Sequence, residues 1–487
     1  MNRNIIIRIA LSAGLLCASA TLLAADDPMK KASQLLDKHY YESAAAMLRS
    51  SFAGSELTPV ATLTLARAYA LNAQLHRSLQ RSSLAVGSMY LQKLSAQAGR
   101  DRSQFVPLFY GEYLVESGKT REGAEQLRRF IGQKTIAPAY RDIAQVELSA
   151  ALKSAMPALR SSDPLARSQL AAAQSMSRAR LQDAANQVSQ AIQELTKANP
   201  SLPVRAITNA IGIYARAGQP EKAFALLGSA ELGRPSYEEA ISNSKVIRFY
   251  DSALLGNLAE LYQAEAERLL QRARSDARYK SVATYFLVEL YLNNSQFSQA
   301  AGLLTELVSA TDLPAAYRER LAVMQAALDV RTGKAARGNA TFSELGRKYG
   351  EDPVLLAELL SACVHFKASC SGVTRSARAL ASANQGERYR SLHSAVGEQF
   401  AAEGNLERAL LASETARDKS NKNRIDANDP LLLTRLADLY FASKNFSEAL
   451  EIYFEMGKEF PAVRQLQETG QGVYSTEYRS AGDAKIF

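Results

Sequence analysis

The run Leu436-Ala437-Asp438-Leu439-Tyr440, followed by Phe446, Ala449, Tyr453, Met456 and Pro461, decides the fold of this chain. A large residue on one helix that fills the gap over a small residue on the next lets two antiparallel helices approach closely, and Tyr440 with Ala449 is such a pair. The same step of nine residues recurs as Tyr214 to Ala223 and Tyr291 to Ala300, and with Phe in place of Tyr as Phe400 to Ala409. Gly218 and Gly404 fall between the paired helices, where a positive φ ends a helix without a Cβ clash.

This pattern resembles the tetratricopeptide repeat, with its Leu-Gly-x-x-Tyr run, a small residue on the second helix, an aromatic four later and a closing Pro. The resemblance implies an all-α fold, a right-handed superhelical solenoid of antiparallel helix pairs. Weaker copies extend it. Leu35 goes with Ala44 and Leu48, and Ala66 with Tyr69 follows Ala32 with Leu35 at the repeat period of about 34 residues. Gly111, Leu114, Gly118, Gly123 and Leu127 make another copy, and Asp329, Gly333, Gly338 and Phe342 keep the spacing with Asp at the large apolar position. Key positions thus run 35, 69, 114, 214, 291, 329, 400 and 440, and the gaps of 100, 77 and 71 residues are predicted to hold degenerate helix pairs. Stretches such as Ser252 to Arg274 and Pro353 to Phe366 carry the required helical apolar spacing.

One segment breaks the rhythm. Met156-Pro157 and Asp163-Pro164 interrupt the chain, after which Leu165 to Asn199 reads as one long helix with Asp163 as N-cap and Asn199-Pro200 as its stop. Its apolar stripe is Leu181, Val188, Ile192 and Leu195. The expected division is therefore a leader (1–25), N-terminal repeats (26–132), a helical segment with one long helix (133–200), C-terminal repeats (201–461) and a polar tail (462–487).

Residues 1 to 25 have the order of a signal peptide: Arg3 and Arg8, an apolar stretch from Ile9 to Leu23, then Ala24 and Ala25 before Asp26-Asp27-Pro28. Cleavage after Ala24 or Ala25 is expected, which puts the mature chain in a periplasm, with association with the outer membrane as an option. A lipidated Cys17 is disfavoured because Leu16, directly before it, is large where a lipobox carries a small residue. No later segment reaches the ~20 apolar residues that span a bilayer, so no transmembrane helix is expected in the mature chain. Cys363 and Cys370 remain there, and a local disulfide or two inert core thiols suit them better than zinc, with His365 alone between them.

Chemistry for turnover is missing. His39, His76, His365 and His393 are scattered, there is no Gly-x-Ser-x-Gly elbow and no phosphate loop, and Glu238-Glu239 and Asp26-Asp27 are adjacent residues that do not face one another on a helix. The chain is expected not to be an enzyme and to need no cofactor or metal. Its 58 Lys and Arg against 49 Asp and Glu give +9, or 9 − 2 = +7 without Arg3 and Arg8, interspersed rather than blocked. That mild balance and the absence of basic residues interleaved with aromatics argue against nucleic acid.

Helix-A positions facing the groove are, by register with the repeat family, Arg67, Arg216, Glu289, Glu398, Thr434, Asp438 and Phe441. Their charges are mixed, and the Lys and Asn set by which some members clamp a C-terminal carboxylate is not reproduced. The resemblance implies a scaffold that binds envelope proteins or peptides during assembly of a secretion, pilus, motility or exopolysaccharide machine. A second expectation, from a different class, is direct binding of an anionic polysaccharide.

Overall fold

A computed structural model describes residues 28–53, 55–96, 105–159, 163–198, 202–229, 252–418 and 427–458. The leader with Cys17, the Glu238-Glu239 pair, Asn199-Pro200, Pro461 and the polar tail lie outside them. The described residues form 21 α-helices and no β-strand. In chain order these are α1 (Pro28–Asp37), α2 (Tyr41–Ser51), α3 (Pro59–Ala96), α4 (Val106–Glu116), α5 (Thr120–Ile131), α6 (Pro138–Ala151), α7 (Pro164–Gln174), α8 (Leu181–Ala198), α9 (Val204–Arg216), α10 (Pro220–Ser229) and α11 (Ser252–Ala273). They continue as α12 (Lys280–Asn293), α13 (Phe297–Val308), α14 (Ala315–Arg331), α15 (Ala335–Lys348), α16 (Pro353–Phe366), α17 (Ser371–Ala383), α18 (Arg390–Ala402), α19 (Leu406–Ala416), α20 (Pro430–Ala442) and α21 (Phe446–Lys458). The described residues fall into two compact units, one within 28–72 and 265–458, the other within 73–264.

One turn is reused throughout. Leu35, Leu114, Tyr214, Tyr291, Asp329, Cys363, Phe400 and Tyr440 each accept, at 2.8–2.9 Å, a backbone N–H from five residues on. The residue before each donor is left-handed: His39, Gly118, Gly218, Ser295, Gly333, Lys367, Gly404 and Lys444. This is the Schellman stop, which satisfies carbonyls orphaned at a helix C-terminus and turns the chain back on itself. Here it links α1 to α2, α4 to α5, α9 to α10, α12 to α13, α14 to α15, α16 to α17, α18 to α19 and α20 to α21, each pair packed together as a hairpin.

Nine residues after the acceptor, Ala44, Ala223, Ala300, Ala409 and Ala449 are all fully buried. Gly123 and Gly338 hold the same place. A Cβ at Gly338 would lie 2.5 Å from the Ala326 carbonyl oxygen, and one at Gly123 would lie 2.6 Å from a Val115 methyl, so backbones touch there. The acceptor tyrosines also reach an earlier helix through their hydroxyls: Tyr214 pairs with Ser189 of α8 at 2.9 Å, Tyr291 donates to Glu267 of α11 at 2.6 Å, and Tyr440 donates to Glu414 of α19. At the Asp329 turn, a carboxylate replaces the apolar residue, and Arg337 neutralises it with Nε 2.6 Å from Oδ2.

Two expectations are corrected. Residues 165–199 are not one helix: α7 stops at Gln174, a 3-10 turn spans Arg178–Arg180, and α8 folds back against α7. Ser177 is extended, and the reversal lets Leu165, Ala166 and Ala171 of α7 and Ala184, Ala185, Val188 and Ala191 of α8 all become buried. The capping detail at Asp163 is as expected, its carboxylate accepting from the N–H groups of Leu165 and Ala166. Nor does a hairpin turn follow Tyr69. Helix α3 runs through it because Leu71, Leu75 and Leu79 continue a buried stripe at helical spacing.

Cys363 and Cys370 form a disulfide with Cα atoms 6.1 Å apart. Cys363 is itself a turn acceptor, and helix α17 starts at Ser371, so this connection is longer than the others. The closed loop is short, and loop-closure entropy sets the bond's contribution at about 2 kcal/mol. Maleimide labelling of protein isolated without reductant should find neither thiol, and reduction should shift urea unfolding by that amount. Two thiols that label freely in the native protein would contradict the bond.

Candidate partner-binding faces

Counting back from each turn acceptor reveals what the first helix of every hairpin presents. Two residues before four of the eight acceptors stand Glu112, Glu289, Glu398 and Asp438, while Ser33, Gly212, Ala327 and Ser361 hold the place in the others. Helix α6 ends in the same stop, with Ser149 accepting from Ser154 at 2.9 Å and Lys153 left-handed, and two residues before Ser149 is Glu147. One register position therefore carries a carboxylate in five helices, and the arginines that answer them stand nine or five residues before their acceptors: Arg205, Arg320 and Arg435.

In the unit within 28–72 and 265–458, these groups connect helix to helix. Arg67 lies 5.6 Å from the centre of the Phe286 ring, and the Glu289 carboxyl is buried beside it. Burial pushes Glu289 well above the usual carboxylate range, against the pull of Arg67 and Arg320. Arg320 of α14 grips both oxygens of Glu358 on α16 at 2.9 and 3.1 Å. Ser361 of α16 then donates to Glu398 of α18 at 2.7 Å, and Arg435 of α20 bonds Glu398 together with the Ser394 carbonyl and hydroxyl.

In the other unit, Arg205 of α9 donates to both oxygens of Glu112 on α4, at 2.6 and 2.8 Å, and to Gln169 Oε1 of α7 at 3.3 Å. Asn209 donates to the same Gln169 oxygen at 3.0 Å, while the Gln169 amide donates to Glu147 of α6. Ser252 of α11 donates to Glu116 at 2.8 Å. Around these groups opens a small recess, lined also by Thr208 and Ala253. Burial, with the Glu112 carboxylate nearby, pushes the Glu147 carboxyl up to about 7, opposed by Arg205 and Gln169.

The residues named from sequence fare unevenly. Arg67, Glu289 and Glu398 lie in the connected set above. Arg216 is turned to Glu260 and Ser175, at 2.9 and 2.8 Å, and Asp438 accepts from the Tyr453 hydroxyl. Phe441 stays half-buried, edge-on to Phe446 with ring centres 5.3 Å apart. Thr434 is a correction: it is fully buried, donates to the Pro430 carbonyl at 2.8 Å and sits 3.6 Å from Met456 sulfur, so it cannot meet a partner. Sequence reading missed Glu112, Glu147, Arg205, Arg320, Glu358 and Arg435, although an alignment on the left-handed turn residue would have stacked the acids in one column.

Among the described residues no group of three or more His, Cys, Asp or Glu is placed to hold a metal ion, and no helix is long and apolar enough to cross a membrane. Outside the disulfide-held pair of α16 and α17, each hairpin packs two successive helices over a small buried residue, as the repeat pattern of the sequence predicts. No protein-family model matches the chain, and no curated protein matches it. Among solved structures it is similar to yeast Tom70, at 14% identity and a TM-score of 0.32, covering 94% of this chain and 97% of that one. It is similar also to the Cut9–Hcn1 hetero-tetramer of the APC/C, at 14% identity, TM-score 0.26 and coverages of 90% and 94%. The tetratricopeptide domain of P58(IPK) gives 14% identity, TM-score 0.17 and coverages of 85% and 98%. At these scores the likenesses add nothing to the fold described above.

Proposed function

We propose that the chain is a non-enzymatic scaffold, exported to the periplasm, whose first-helix faces hold protein partners during assembly of a cell-envelope machine. The observation that carries the reading is the set Ser361–Glu398 and Glu398–Arg435, which joins three first helices through side chains that stay partly exposed, Arg435 at 17% and Glu398 at 25%. Such a face is fixed in place before a partner arrives, so little side-chain entropy remains to be lost on binding. Alternating charges select a partner by complementary sign. Each of Arg205, Arg320 and Arg435 already has a carboxylate, which favours a protein or peptide over an anionic polysaccharide. Export rests on the order of the leader, and the Cys363–Cys370 bond suits an oxidising compartment.

Two experiments test this reading. N-terminal sequencing of the mature protein should begin near Ala25 or Asp26, and a chain starting at an acylated Cys17 would refute soluble export. Exchanging the partners of the exposed ion pair, as E398R/R435E, keeps the pair but inverts the pattern. Affinity capture from envelope extracts with that folded variant should recover its partners at least about tenfold less well, a change of about 1.4 kcal/mol. Undiminished recovery would reject this face as the binding surface.

A further inference from the structure

We propose that the unit within 73–264 carries a contact surface for an anionic lipid bilayer, on the rim where its first helices end. This goes beyond the scaffold reading, because no protein partner enters it. The rim follows from helix direction. Helices α4, α5 and α6 pack in antiparallel succession, so α4 and α6 end on the same side. Helix α7 runs parallel to α6, since Ile143 packs with Leu165 and Ala166 while Glu147, one turn on, meets Gln169. Helix α9 runs parallel to α7 in turn, with Asn209 bonded to Ser168 and Arg216 to Ser175.

Two independent observations meet on this rim. Leu152, just past α6, is 44% exposed and Met176, just past α7, is 77% exposed, and among the described residues of this unit they are the large apolar side chains left in water. Beside them Lys119, Lys153, Arg178 and Arg180 are exposed, and none of their head groups makes a hydrogen bond or ion pair with a described residue. Arg167, Arg205 and Arg216 of the same unit, by contrast, are each held by a carboxylate. The other charges on the rim are Arg121 and Lys222 against Glu116, Glu122, Asp183 and Glu221, a balance of 6 − 4 = +2 with Arg216 and Glu260 cancelling. Glu122, Asp183 and Glu221 lie in first turns of α5, α8 and α10, where the helix dipole offsets part of their charge.

Free cations and exposed apolar groups on one rim suit the boundary of a bilayer. The Leu152 and Met176 side chains enter the zone below the headgroups, while the ammonium and guanidinium groups, on long stems, stay level with the phosphates. The exposed residues run in two unbroken stretches, 152–155 and 176–180, so they project from the rim instead of walling a cleft. A peptide laid on such a projection stays open to water, and a soluble polyanion gains nothing from Leu152 and Met176. No helix of the described residues is long and apolar enough to cross a membrane, so the contact is peripheral.

The test is sedimentation of the full mature chain with vesicles of phosphatidylglycerol and phosphatidylcholine in equal parts, compared with vesicles of phosphatidylcholine alone. Binding to the anionic vesicles should be tighter by at least about tenfold and should weaken as salt rises. Each cation near an anionic surface is worth about fivefold, so R178Q/R180Q should weaken binding about 25-fold. L152S/M176S should weaken it about tenfold. R128Q/R129Q removes the same charge from the far end of α5, on the opposite rim, and should change binding less than about twofold. All three variants should keep the helical circular dichroism of the parent. Equal binding to both kinds of vesicle, equal losses from the two arginine pairs, or undiminished binding of L152S/M176S would each overturn the assignment, the last by marking a contact open to any polyanion. Capture of polyglutamate with anionic vesicles left unbound would overturn it too, and assign the rim to an acidic peptide. The vesicles contain no protein, so these failures leave the scaffold reading standing, whereas failed partner capture with intact vesicle binding would strike that reading alone.

Discussion

Replacing Arg205 with alanine is expected to destabilise the unit of Ala73–Ala264 by about 3 to 5 kcal/mol, the cost of leaving a buried carboxylate uncompensated. The side chains of Arg205 and Glu112 are only 9% and 10% exposed, and no water shell takes over when the guanidinium is gone. Gln169 Oε1 would lose one of its two donors in the same step and keep Asn209. Removing both charges as R205M/E112L should be far milder, because a buried ion pair replaced by apolar residues of similar volume is often neutral or stabilising. Urea unfolding at neutral pH measures both variants. A loss below about 1 kcal/mol for R205A would show that solvent reaches the pair and that the buried face described here is open.

The second large effect concerns the small residues beneath the turn acceptors. Ala223 and Ala449 are fully buried, and leucine at either should force the two helices of its hairpin apart, at about 1 to 3 kcal/mol per site. The two sites lie in different units, so the double variant should lose about 2 to 6 kcal/mol by simple addition. Repeats contact mainly their neighbours, so thermal melting should broaden or split rather than vanish as one transition. At Gly338 even alanine should be felt, with the new methyl 2.5 Å from a backbone oxygen that cannot rotate away. Silent responses at Ala223 and Ala449 would mean that these positions are not the closest point of approach.

Much of the fold was legible because its signal repeats. Leu35, Leu114, Tyr214, Tyr291, Asp329, Phe400 and Tyr440 were all picked out by their distance from a small residue, and each proves to be a turn acceptor. What the spacing missed follows from the turn's chemistry. Glycine marks the left-handed position at Gly118, Gly218, Gly333 and Gly404, but His39, Ser295, Lys367 and Lys444 adopt it too, at a local cost of about 1 to 2 kcal/mol that hairpin packing offsets. Cys363 escaped the key set because a disulfide holds its longer turn. Tyr69 entered it because local spacing was right, and only the buried leucines beyond it reveal that helix α3 continues.

The binding faces were less legible, for a different reason. Family register places Thr434 toward a partner, yet that position is covered in this chain by packing against Met456. Charges such as Glu112 and Arg205 stand 93 residues apart in sequence, and nothing local announces that they meet. The acids become visible as a set only once the turns supply a common origin for counting.

Site-specific photocrosslinking in intact cells tests the central claim, that partners sit on the first-helix faces, most directly. A benzoylphenylalanine at Val323, Ala401 or Phe441, all partly accessible on first helices, should trap the same envelope protein. The probe at Thr305, Glu407 or Leu411, exposed on second helices, should not. Crosslinks to one partner from the second-helix positions, with none from the first-helix positions, would contradict the account.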